Sequence, residues 1–115
     1  MKKVDVLRAD GSLLCHADLA DGVLTRGRGL LGRAFLKSDE GLLIEPCTSV
    51  HTMFMRFPID VIYLDRDYTV VKVASMPAFR MSFGGRGSKR VLELPLHAIE
   101  QKGIFLNEQL TIRPA

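Results

Sequence analysis

Between Ser49 and Asp65 an otherwise apolar stretch carries a histidine, an arginine and an aspartate, His51, Arg56 and Asp60. A histidine supplies a general base or a hydrogen-bond donor near neutral pH, an arginine holds a carboxylate or phosphate, and an aspartate serves as a partner to either. Read together, the three form a polar cleft for a small anion or a peptide carboxylate, with Arg33 and Glu93 as neighbours. The same His51 and Asp60 also read as the acid–base pair of a hydrolase. Along an extended Ser49–Arg56, however, alternation sends His51 and Arg56 to opposite faces, so convergence requires the strand to bend. Asp60 has its own bland reading, a buried carboxylate that accepts backbone N–H groups at a strand entry.

Two other constellations are weaker. Cys47, His51, Met53 and Met55 are the soft ligand types that copper(I) prefers, but methionine fills irregular cores by default, and no metal or other cofactor is expected. Gly84-Gly85-Arg86-Gly87, with Phe79 and Phe83 nearby, has amides to cradle a phosphate and rings to stack on bases. No helix-opening Gly-Lys-Ser/Thr follows it, so it is not a Walker loop. A solvated loop is the simpler reading, and nucleic acid is the less expected partner. The sequence holds no serine-histidine-aspartate motif, no paired zinc ligands and no dinucleotide fingerprint.

These residues must be positioned by a chain of 115 residues, 47% of them hydrophobic, enough for one core and one domain. The net charge is +3, yet Tyr68 to Leu92 holds Lys72, Arg80, Arg86, Lys89 and Arg90 and no acidic residue, leaving −2 for the remainder. One surface is therefore basic, which suits an anionic ligand or a protein or nucleic-acid partner. Cys15 and Cys47 are 32 residues apart and fit neither a disulfide framework nor a zinc site, as in a reducing compartment. No apolar run approaches the roughly 18 residues of a membrane span, so a soluble, cytoplasmic protein without a membrane partner is expected.

In chain order, Val4 to Arg8 and Ser12 to Ala17 predict strands joined at Asp10-Gly11 as a hairpin. Asp21 caps a helix whose apolar positions run to Leu31 and which Gly32 ends. Asp39-Glu40-Gly41 predicts a turn and Leu42 to Glu45 a short strand. Pro58 to Asp65, apolar on both sides, predicts a strand covered on both faces. Arg66-Asp67 links it to an antiparallel strand, Tyr68 to Ser75, with Thr69, Val71 and Val73 on one face and Lys72 on the other. Phe79 to Arg90 reads as a long loop, Val91 to Leu94 as a strand, Pro95 as the start of a short helix with Leu96 and Ile99 inward and Gly103 as its stop, and Leu106 to Ile112 as a last strand. The sum is an α+β domain: a small curled, mixed but mostly antiparallel sheet, partly open and barrel-like, with two short helices.

The sequence resembles the bacterial and archaeal domain-of-unknown-function family DUF192 over most of its length. Arg28-Gly29-Leu30-Leu31-Gly32-Arg33 is similar to the family's first-helix motif and Gly41-Leu42-Leu43 to its following strand. Pro58-Ile59-Asp60-Val61-Ile62-Tyr63-Leu64-Asp65 is similar to its central strand, and Val91-Leu92-Glu93-Leu94-Pro95 to its Val-Leu-Glu-Leu-Pro signature. Many members carry Trp-Met-Lys-Asn-Thr where this chain has His51-Thr52-Met53-Phe54-Met55-Arg56, Gly-Asp where it has Asn107-Glu108, and a glycine after Leu-Pro where it has Leu96-His97. The resemblance implies a small α+β fold; it implies no activity, since none is established for the family.

Overall fold

The computed structural model describes residues 2–22, 36–51 and 57–115. Nine strands and one short helix lie within them: β1 (Lys2–Leu7), β2 (Leu13–Ala20), β3 (Glu40–Ile44), β4 (Ser49–His51), β5 (Ile59–Leu64), β6 (Val70–Met76), β7 (Met81–Phe83), β8 (Arg90–Pro95), α1 (Ala98–Lys102) and β9 (Thr111–Pro114). Seven strands form one sheet in the order β6-β5-β8-β3-β2-β1-β9, and β4 and β7 form a separate two-stranded ribbon. Only the β2–β3 pairing is parallel; the other sheet pairings are antiparallel. The sheet is mixed and not closed. Its two ends meet at a single bridge between Thr69 and Gln109, where Asn107 N–H donates to the Val70 carbonyl (2.8 Å) and Leu110 N–H to the Tyr68 carbonyl (3.1 Å). Of the two helices expected, the one from Asp21 to Gly32 falls almost wholly outside the described residues, and α1 is the only helix among them.

All six residues of β5 are buried, as their unbroken apolar character requires. Alternation sorts β5 and β8 onto two cores. Ile62, Leu64, Leu92 and Leu94 face the first, which is closed by Ala98 and Ile99 of α1 and by Ile104 and Leu110. Ile59, Val61, Tyr63 and Val91 face the second, which is flanked by Leu36, Cys47 and Phe57. Gly41 lies inside β3 and not in a turn: a Cβ there would meet Leu94 Cδ2 at 3.0 Å and Cys15 Sγ at 3.1 Å, so the close strand packing requires glycine.

Several local expectations change. The first hairpin turns through residues 9–11, with Arg8 N–H bonded to Ser12 O (2.8 Å) and Gly11 at φ +87°, a three-residue loop with a left-handed closing residue. The β5–β6 turn has the same shape, closed by Tyr68 at φ +64° and held by Asp65 Oδ1, which accepts from the Asp67 and Thr69 amides at 2.9 Å each. A bulge pairs Leu64 with Val70 but Tyr63 with Lys72, so strict alternation fails: Val70 and Val73 join the first core while Val71 joins the second. The stretch from Phe79 to Arg90 is not simply a loop, because it contains β7. In α1 the buried residue is Ala98, while Leu96 is only half-buried; Gly103, at φ +62°, ends the helix as expected. The last strand begins at Thr111, since residues 106–110 serve the bridge to β6.

Candidate functional site

Asp60 and Glu93 belong to neighbouring strands but to different faces. The register sets Asp60 opposite Leu94 and Val61 opposite Glu93. Asp60 therefore points with Ile62 toward α1, where both its oxygens are engaged: Ser75 Oγ donates to Oδ1 at 2.7 Å and the Ile99 amide donates to Oδ2 at 2.9 Å. With no exposed surface, this carboxylate ties β5 to β6 and to the first turn of α1.

Glu93 shares the other face with Tyr63, its diagonal neighbour across β5 and β8. It is only 3% exposed, and among the described residues it has no ion-pair partner. Burial raises its carboxyl from the ordinary range to about 7. The Tyr63 ring is fully buried, and no described group meets its hydroxyl with full hydrogen-bond geometry. Burial pushes this phenol upward, with nearby Ser82 opposing the shift and Cys47 and Glu93 adding to it.

The β4–β7 ribbon stands over the Tyr63 end of this face. Gly84, just after β7, lies against the Tyr63 ring so closely that a Cβ would come within 2.5 Å of Tyr63 Cδ1 and of Ser88 Cβ. The Ser88 hydroxyl is buried and, like that of Tyr63, has no hydrogen-bond partner among the described residues. Lys72 lies 5.6 Å from the Tyr63 ring centroid and donates to the Phe83 carbonyl at 2.5 Å. The ribbon is fixed at its base by Gly84 N–H to Thr48 O (2.9 Å), Cys47 N–H to Lys89 O (2.8 Å) and Lys89 N–H to Leu64 O (2.8 Å).

Of the residues expected to build a cleft, Glu93 lies on this face and Asp60 on the opposite one. The backbone of His51 is in β4, paired with Met81 of β7. Arg33 and Arg56 lie outside the described residues. Arg90, counted among the basic residues of the loop, is taken up by the fold: it donates to Glu45 Oε2 (2.5 Å) and to the Asp65 carbonyl (3.1 Å), and stacks 4.3 Å from the Tyr68 ring centroid. Tyr63 is not among the residues expected to build the cleft; the signal for it is a tyrosine in a strand buried on both faces, whose hydroxyl needs a partner. Among the described residues no cluster of three or more histidine, cysteine or acidic side chains is arranged to hold a metal, and no helix is long and apolar enough to cross a membrane.

Two solved structures share the fold. One is a protein from Sinorhizobium meliloti 1021 described as a proposed transcription regulator, with a TM-score of 0.81 and 20% identity over 96% of this chain and 92% of that one. The other is a protein of unknown function from Novosphingobium aromaticivorans DSM 12444, with a TM-score of 0.80 and 20% identity over 95% of this chain and 83% of that one. At this identity the likeness concerns architecture. No curated protein matches the chain. The family model for DUF192, described as "Uncharacterized ACR", matches residues 6–112, and the chain belongs to that family.

Proposed function

We propose that this domain binds a small anion, a carboxylate or the free C-terminus of a peptide, on the Tyr63–Glu93 face beneath the β4–β7 ribbon. The observation that carries the reading is the Tyr63 hydroxyl, buried beside a buried glutamate, with Ser82 near it but no described group in full hydrogen-bond geometry. An unsatisfied buried hydroxyl costs about 1–3 kcal/mol, which an accepting ligand recovers. Glu93, with its carboxyl near 7, donates a second O–H when protonated, so both groups seek an acceptor. The sequence adds His51, the last residue of β4, Arg56, on the segment between β4 and β5, and Arg33 as cations for the same ligand. Asp60 is omitted because its oxygens are occupied on the other face. The two thiols, one of them buried, suit a cytoplasmic setting.

Calorimetric titration with acetate, glutarate and a short peptide bearing a free or amidated C-terminus, at pH 6 and pH 8, tests this. Binding that is about tenfold tighter at pH 6 is expected from a carboxyl titrating near 7. Tyr63→Phe should weaken it, and Glu93→Gln should flatten its pH dependence. Absence of binding by every carboxylate at both pH values sinks the proposal.

A further inference from the structure

We infer that the outer face of the β4–β7 ribbon binds single-stranded nucleic acid, with Phe79 and Phe83 stacking on bases and the surrounding lysines and arginines meeting phosphates. Phe79, Met81 and Phe83 occupy alternate positions and are 51%, 64% and 61% exposed, whereas the intervening Ser82 is half-buried toward the fold. Alternation places Met81 and Phe83 on one outward face, about 7 Å apart along the strand. Among the described residues, none of the three belongs to either hydrophobic core. Phe79 is, in addition, held at φ +60°, a conformation that bulky residues avoid and that collects at binding sites.

The charges that the chain carries along this segment are of one sign. Lys72 is anchored at its end through the Phe83 carbonyl. Arg80 lies within it, Arg86 and Lys89 follow in the adjoining turn, all three exposed, and no acidic residue occurs between Tyr68 and Leu92. The shape decides among anionic partners. Among the described residues the apolar stripe is one residue wide, far short of the roughly 800 Å² per partner of a stable protein interface and of the broad apolar face that embeds in a lipid surface. It matches the width of one unpaired strand, for which aromatic platforms flanked by cations are a sequence-tolerant recognition surface.

The test is fluorescence anisotropy of labelled dT15 and rU15 with the full chain, at 50 and 200 mM salt. Expected are binding that weakens at least tenfold between the two salt concentrations, a further loss of at least tenfold in the F79A/F83A double variant, and near-native affinity in F79Y/F83Y, which keeps the rings. Unchanged thermal unfolding confirms that the alanine variant is folded. The inference is overturned if neither oligomer binds below 100 µM at 50 mM salt, if the double alanine variant binds as well as the parent, or if a 15-base-pair duplex binds as tightly as dT15. It is equally overturned if phosphatidylserine vesicles or an acidic peptide respond to the double variant while the oligomers do not. Weaker binding of rU15 than dT15, or the reverse, identifies which nucleic acid is read and supports the inference.

Discussion

Asp60 on β5 and Glu93 on β8 are one register step apart, yet their carboxyl groups point to opposite faces of the sheet, one fully hydrogen-bonded and the other without a described ion-pair partner. Two buried acids so close along the chain pairing thus have unrelated roles. Asp60 holds the fold together, whereas Glu93 is the group whose charge state is open to change.

Removing the Asp60 carboxylate leaves the Ile99 amide and the Ser75 hydroxyl without their acceptor. Hydrogen bonds to a charged group contribute about 1.5–3 kcal/mol each, so Asp60→Ala should destabilise by about 3–5 kcal/mol and Ser75→Ala by about 1–2 kcal/mol. Urea unfolding of the two single variants and the double variant should show strong non-additivity. An Asp60→Ala protein as stable as the parent would contradict this assignment.

Glu93 makes stability depend on pH in the direction opposite to a salt-bridged acid. Its folded pKa is raised, so between about 4.5 and about 7 the native state binds more protons than the unfolded state. Stability from this group is fully present below the unfolded value and is lost as pH rises through 7, by on the order of 3 kcal/mol. Glu93→Gln should remove that slope and exceed the parent in stability at pH 8. The check is the free energy of urea unfolding from pH 5 to pH 8 for both proteins.

The contact of Gly84 with Tyr63 and Ser88 leaves no room for a methyl group. Gly84→Ala must displace the ribbon or the tyrosine, at a cost of about 2–3 kcal/mol by the usual penalty for overpacking. Gly85→Ala, where nothing lies within 4 Å, carries only the strain of φ +76° and should cost less. Thermal unfolding of the two variants side by side distinguishes packing from backbone strain.

The two thiols should differ sharply. Burial pushes Cys15 up to about 12, so at pH 8 it is essentially all thiol and also shielded, whereas Cys47 is partly exposed. Titration with a disulfide reagent should label one thiol rapidly in the native protein and the second only on unfolding. Labelling of both at equal rates would show that the sheet opens readily around β2.

Where sequence pattern and structure agree, the cause is local. The apolar run of β5, the turn at Asp65 and the stop at Gly103 are each dictated by neighbours in the chain. Asp60 was legible too, since a carboxylate inside a doubly covered strand must be hydrogen-bonded. Glu93 was harder to place, because a single acid between two leucines reads as the solvent side of a strand, whereas β8 lies between β5 and β3 and is buried on both faces. The bulge at Val71 was invisible for a similar reason: an extra residue in a valine-rich strand leaves the apolar pattern unchanged while exchanging the faces. In the ribbon, β4 falls within the extended Ser49–Arg56, but its partner β7 is not legible, because three residues beside a glycine-rich turn have no periodicity to read.

Arg8, at the end of the first strand pair, donates to both oxygens of Glu108 (2.7 and 3.0 Å) and to the carbonyls of Lys102 and Gly103, while β1 pairs with β9 across more than 100 residues. During synthesis on the ribosome, the first hairpin emerges about a hundred residues before the groups that complete it. Until then its β1 edge is an unpaired template open to other chains. Folding of this domain is therefore complete only once β9 has emerged, and a nascent chain stalled before Glu108 should expose that edge to aggregation.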